Sequence, residues 1–371
     1  MMMKNGFIDI GKGTILLIVL SCLLSAPMRA EEGMSAQSQT KRHNVPEWVN
    51  PIAERVQVHG YAQGGYDFRS SGGELANTFL RRRTIVWVDS NLGERWSFRF
   101  MHDFNSAVQE YYTEFRAGGN NLFNIRIGQG KTGLSYENPL SPTSMETIDV
   151  YSEGVPFLTG CGSDPLNGLQ YGRDLGLFLF GETSDKLFRY EVELVNGTGI
   201  NVRDNDNFKN LIARLELRPV KGLNLCVTGQ YGRGRALVDS PVFNPGLAAG
   251  EVYARNRVTA GFAFASDRLD FHGEYLRVYD GDVVSSGVYL TGSVSILPKT
   301  LDLVASADYF NFNTAQGADM FKAVSGLQYW FYKKCRIQIQ YVFKNADTDS
   351  RSFFTRTPVH MIMCQLQVRL N

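Results

Sequence analysis

Arginine supplies most of the chemistry available to this chain, and its distribution is uneven. Arg81, Arg82, Arg83, Arg99, Arg116, Arg126 and Lys131 crowd into one stretch. A guanidinium presents a planar fork of donors that fits carboxylate and phosphate oxygens. Further cations follow at Arg214, Arg218, Arg257, Lys322 and Arg336. Carboxylates oppose them at Asp103, Glu110, Glu114, Glu191, Glu193, Glu216, Asp270, Glu274 and Asp308. Such charges can pair with one another and merely solvate a wall, or some can remain to contact an anion. The candidates for anion contact are Arg81, Arg83, Arg99, Arg116, Arg126, Lys131, Arg214 and Arg218. In a regular strand Arg82 must face away from Arg81 and Arg83.

Acid–base catalysis has less to draw on. Asp270, His272 and Glu274 alternate within one run, but no serine or metal-type spacing accompanies them. His272 is therefore expected in a wall, and no catalytic residue, metal or cofactor is expected. His43, His59, His102 and His360 are scattered singly, as are Cys161, Cys226, Cys335 and Cys364, which are read as unpaired.

Those charges need elements to carry them, and the sequence carries one repeating pattern from about residue 55 to its end. Runs of roughly 10–13 residues alternate apolar with polar side chains, with Gly, Asn, Asp or Pro between them. Leu211, Ala213, Leu215 and Leu217 oppose Asn210, Arg214, Glu216 and Arg218. Ile337, Ile339, Tyr341 and Phe343 oppose Arg336, Gln338 and Gln340. Period two puts each set on one face of a strand. About sixteen such runs can be counted, an even number, as a single-chain bacterial barrel requires.

The links between runs alternate in length. Short ones fall near 90–94, 118–121, 181–186, 219–222, 266–268, 298–300 and 332–334. Longer ones fall at 69–77, 131–166, 197–208, 234–252 and 345–356. Short turns on one rim and longer loops on the other are the habit of a transmembrane barrel. The fold expected is all-β, a transmembrane antiparallel barrel of about sixteen strands. Its long third outer loop contains Tyr136, Glu137, Asp149 and Tyr151. That loop is expected to fold into the lumen as a constriction, since a barrel of this size needs narrowing. A lid over the mouth is the alternative.

Composition sets the remaining bounds. The chain has 371 residues, 43% of them hydrophobic and 20% charged, with a mean hydropathy of −0.19. Residues 1–30 read as a signal peptide: Lys4 and Lys12 precede the apolar Thr14–Leu24 run, and small residues follow. Residues 31–52 read as a flexible polar leader and 53–371 as the barrel. Without residues 1–30 the balance is 35 basic against 36 acidic residues, from 38 less 3 and 37 less 1. A near-neutral chain has no footprint for nucleic acid. The partners expected are outer-membrane lipid and small ions or anionic solutes.

Several motifs also resemble a known family. Phe79-Leu80-Arg81-Arg82-Arg83 looks like the arginine-rich second strand of the phosphate-selective porin O and P family. Ile125-Arg126-Ile127-Gly128-Gln129-Gly130-Lys131, followed by Glu137 and Ser141, resembles its strand-to-loop signature. Arg173-Asp174-Leu175-Gly176 resembles its next strand. Val195-Asn196-Gly197-Thr198-Gly199 with Asp204-Asn205-Asp206 resembles its central hairpin. The matches keep the family's order over residues 55–235. The resemblance implies a sixteen-stranded, trimeric outer-membrane porin with an inward third loop. The function expected is passive diffusion of small hydrophilic solutes, with an anion or phosphate preference. The alternative is a surface-exposed adhesion barrel whose outer loops recognise a glycan or host protein. A barrel hydrolase built on His272 is a third reading.

Overall fold

The computed structural model describes residues 55–371 apart from 119–120, 161–162, 165, 167, 240–242, 349–353 and 371. The expected signal peptide, the leader and Cys161 lie outside the described residues.

Sixteen antiparallel strands close on themselves. They are β1 Val56–Ser71, β2 Glu74–Asn91, β3 Trp96–Asp103, β4 Val108–Arg116, β5 Asn124–Lys131 and β6 Arg173–Glu182. Next come β7 Phe188–Val195, β8 Asn210–Leu217, β9 Leu223–Tyr231 (carried on by Arg233–Arg235), β10 Val252–Ala265 and β11 Leu269–Asp280. The last five are β12 Val283–Leu297, β13 Leu301–Asn311, β14 Asp319–Tyr332, β15 Cys335–Lys344 and β16 Val359–Leu370. Each pairs with its neighbours in sequence, and β16 pairs with β1 from Gly60↔Leu370 to Ser71↔Val359. Closure removes every free edge that lipid could not satisfy.

Period two decides what faces where. In β8, Asn210, Ile212, Arg214 and Glu216 are buried while Leu211, Ala213, Leu215 and Leu217 are exposed. In β16, Gln365 and Gln367 are buried while Leu366 and Val368 are exposed. The outer face is thus an apolar belt. Aromatic residues gather near the short-turn rim, with Trp96 packed on Phe115 at 4.7 Å and Phe188 beside Tyr190. Such girdles mark the edges of a lipid belt.

The seven expected short turns all lie on one rim, and the connections at 132–172, 196–209, 232–251 and 345–358 lie on the other, together with shorter turns at 72–73, 104–107 and 281–282. The expected 69–77 link is a correction. β1 and β2 run on to a two-residue turn at Gly72 and Gly73, both at positive φ, so the polar residues there sit in strand. Polarity marked the protruding end of a hairpin, not a loop. Cys226, Cys335 and Cys364 are free thiols.

Close strand approach depends on glycine at Gly128 in β5. Its φ is 134°, and a Cβ there would sit 2.3 Å from the Tyr111 carbonyl oxygen. Gly128→Val should cost about 1–3 kcal/mol of backbone strain. A lowered urea midpoint for the refolded barrel is the expected result. An unchanged midpoint would show that the β4–β5 pair relaxes freely.

Candidate functional site

Inside the barrel, the connection from 132 to 172 bonds to inward-facing side chains of β7, β8, β10, β11, β15 and β16. Arg214 of β8 donates to the Gly133 carbonyl at 3.1 Å and the Ser135 carbonyl at 2.6 Å. Arg257 of β10 donates to the Leu158 carbonyl at 2.9 Å. Arg336, Gln338 and Gln340 of β15 donate to the Met145 and Glu146 carbonyls at 2.7–2.9 Å. Gln367 of β16 reaches the Thr143 carbonyl at 3.2 Å. The wall also accepts. Glu274 of β11 takes the Ser135 hydroxyl at 2.7 Å and the Tyr136 N–H at 2.9 Å. Glu193 of β7 takes the Gly133 N–H.

His272 sits among the same contacts. Its Nε2 lies 3.0 Å from Glu137 and its Nδ1 3.9 Å from Glu146. Glu137 also accepts the Ser152 N–H at 2.8 Å. His272 and Glu274 are therefore built into the attachment of the loop, while Asp270 is exposed. Burial pushes the Glu146 carboxyl, in the loop, up to about 7, while the nearby His272 pulls it down.

The loop's helix, α1 Gly154–Thr159, packs into an apolar cluster with Phe178, Ile212, Leu276, Phe310 and Met320 of the wall. Residues from three outer connections, Phe243, Phe312 and Phe354, cover it. Phe157 lies 5.4 Å from Phe310, 5.4 Å from Phe312 and 6.3 Å from Phe243. A helix this tight leaves no room at Gly154, where a Cβ would come within 2.4 Å of Leu276. At the level of α1, that side of the lumen is filled with apolar contacts.

The other side stays open. A cavity of about 630 Å³ runs between β1–β5, the start of β6, β16 and the loop. Six cations line it: Arg82, Arg83, Arg99, Lys131, Arg173 and Arg369. Two carboxylates do, Asp103 and Glu110. Asp67 and Asp89 stand behind them, paired with Arg82 and with Arg99, the latter bidentate at 2.6 and 2.9 Å.

A bulge explains how Arg82 reaches this cavity. The β1–β2 register slips between Gln63 and Gly64, so that Gln63 faces Arg83 and Gly64 faces Arg81. Arg82 is the extra residue, and a bulge re-aims the side chain it carries. Arg82 then pairs with Asp67, and Arg83 donates to Gln63 Oε1 at 3.0 Å. Arg81 is exposed and absent from the cavity lining. The alternating parity expected for the triplet is corrected accordingly: the inward pair is Arg82 and Arg83.

The other candidates divide. Arg99 lines the cavity and also lies 3.7 Å from Glu110. Lys131 lines it while its Nζ binds the Asn138 and Leu140 carbonyls and the Tyr151 hydroxyl. Arg126 is set away from the cavity, paired with Glu114 at 3.2 Å and stacked on Tyr112 at 4.5 Å. Arg214 pairs with Glu216 at 2.6 Å beneath the loop, and Arg218 bridges Glu216 and Glu182. Arg116 is exposed at the short-turn rim. Of the loop candidates, Tyr151 lines the cavity, Tyr136 and Glu137 bond to the wall, and Asp149 is half-buried. Sequence reasoning missed Arg82, Arg173 and Arg369. Arg369 does share the parity of Gln365 and Gln367, which was the available signal.

No family model matches the chain, and no curated protein matches it. Solved structures do. The chain is similar to an anion-selective porin from Comamonas acidovorans, with TM-score 0.59 and 10% identity over 85% of this chain and 99% of that one. It is similar to the outer membrane channel DcaP of Acinetobacter baumannii, with TM-score 0.58 and 13% identity over 84% and 97%. It is also similar to OmpT of Vibrio cholerae, with TM-score 0.57 and 12% identity over 85% and 98%. The shared feature is the fold, that of outer-membrane porins and channels.

Two outcomes follow from the loop's attachment. Phe157→Ala should cost about 3 kcal/mol, read as a lowered urea midpoint. An unchanged midpoint would show that the cluster around α1 does not hold the loop in place. Glu146 titrates near 7 when folded against an ordinary 4.5. Its raised value means that stability present below about pH 4.5 is lost as pH rises through 7. Glu146→Gln should raise the urea midpoint at pH 8 and bring no such gain at pH 4. Equal gains at both would contradict this.

Proposed function

We propose that this chain is an outer-membrane diffusion channel for small hydrophilic solutes, with a preference for anions, and that the open cavity is its conduit. One observation carries the reading. The cavity wall holds six cations and two carboxylates, although the whole chain is close to neutral. In a narrow passage the charges on the wall, and not the net charge of the chain, set the potential that a solute meets.

The fold supports a channel, and the Comamonas structure it resembles is described as anion-selective. The Vibrio OmpT is described in a trimer form, and we extend a homotrimer to this chain on that likeness. In this reading the loop from 132 to 172 sets the size limit, with Tyr151 and Pro142 at the cavity wall. The wall favours oxyanions as a class. Phosphate preference would require several adjacent cations free of carboxylates, and Arg82, Arg99 and Arg173 each have one close by.

The refolded protein in a planar bilayer under a tenfold KCl gradient tests this. The reversal potential should carry the sign of chloride preference. Arg82→Gln with Arg83→Gln should move it at least halfway to zero, and Arg116→Gln should leave it in place. A cation preference, or no conductance from the folded barrel, would refute the proposal.

A further inference from the structure

The conduit is not a uniformly polar slot. Between its cations lie Tyr61, Ile85, Trp87 and Met101 on the barrel wall, facing Pro142 and Tyr151 on the loop. These wall residues are cross-strand neighbours: Tyr61 faces Ile85, and Trp87 faces Met101. Tyr61 and Trp87 meet edge-on at 6.3 Å, and the Arg369 guanidinium lies 5.8 Å from the Trp87 ring centroid. A passage for hydrated inorganic ions gains nothing from such a strip, because apolar groups cannot replace water around a small ion.

The charge count narrows the solute further. Asp67, Asp89, Asp103 and Glu110 offset four of the six cations, leaving an excess of two. Arg83 has a neutral partner, Gln63, and no carboxylate pairs with it among the described residues. It stands on the same inward face of β2 as Ile85 and Trp87. A guanidinium fork beside an aromatic strip matches a carboxylate attached to a flat apolar ring.

Resting on the reading of this cavity as the conduit, we infer that it holds a subsite for aromatic carboxylates of low charge. The carboxylate lies on Arg83, and the ring lies along Tyr61 and Trp87. Small aliphatic carboxylates and inorganic phosphate share only the charge contact.

Benzoate, acetate and inorganic phosphate are the probes. Each is added to the wild-type channel in a planar bilayer carrying chloride current. Benzoate should interrupt the current at concentrations at least tenfold below acetate or phosphate. Trp87→Leu should remove that advantage while the KCl reversal potential keeps its anionic sign. Arg83→Gln should weaken the benzoate block about tenfold. Phosphate or acetate blocking as well as benzoate, with the anionic sign intact, overturns the subsite and leaves the channel reading standing. A cationic sign overturns both. If Trp87→Leu does not fold, the three-anion comparison on the wild type decides alone.

Discussion

A chain segment lying inside a barrel must find partners for its own peptide groups, and the rest of this structure follows from how it finds them. Unmet buried backbone groups cost about as much as lost hydrogen bonds, so a loop there cannot simply rest in place. Here wall side chains meet that need. Arg214, Arg257, Arg336, Gln338, Gln340 and Gln367 donate to its carbonyls, while Glu193 and Glu274 accept from its N–H groups. The donors are long and come from inward positions of strands on different sides, which fixes the loop at several points.

That attachment sorts the charges into two groups. Cations on β8, β10 and β15 are engaged by carbonyls and carboxylates, and they cannot offer themselves to a solute without releasing the loop. Arg82, Arg83, Arg99, Lys131, Arg173 and Arg369 face an open space, because α1 and its phenylalanine cluster occupy the opposite side. A lumen with balanced charges therefore acquires a passage that is unbalanced. The sorting is spatial, so a charge count along the chain gives no hint of it.

Much of the architecture was readable from period two. The alternation of Leu211 with Arg214, or of Leu366 with Gln367, fixed which face met lipid, because a one-residue slip would have reversed both. The bulge was not readable. Arg81, Arg82 and Arg83 obey alternation on paper, and only the slipped register at Gln63 and Gly64 turns two neighbours inward. Arg126 and Arg214 were legible as inward residues, and their nearer partners Glu114 and Glu216 lie close in sequence, but the added contacts with Glu191 and the Ser135 carbonyl lie far off. His272 was similar. Its sequence neighbours suggested a cluster with Asp270 and Glu274, whereas its partners are Glu137 and Glu146 of the loop. Long-range pairing, rather than residue type, decided each of these roles.

In the proposed channel, solutes pass on the β1–β5 side of the loop and not on the other. Cysteine accessibility tests it directly, on a barrel whose native cysteines are replaced by serine. Ser141 lines the open cavity, and Ser285 is buried on the filled side, donating to the Phe312 carbonyl. An anionic methanethiosulfonate should cut the current of the Ser141→Cys channel and leave that of Ser285→Cys unchanged. Block at Ser285→Cys with none at Ser141→Cys would place the passage on the wrong side of the loop and contradict the account.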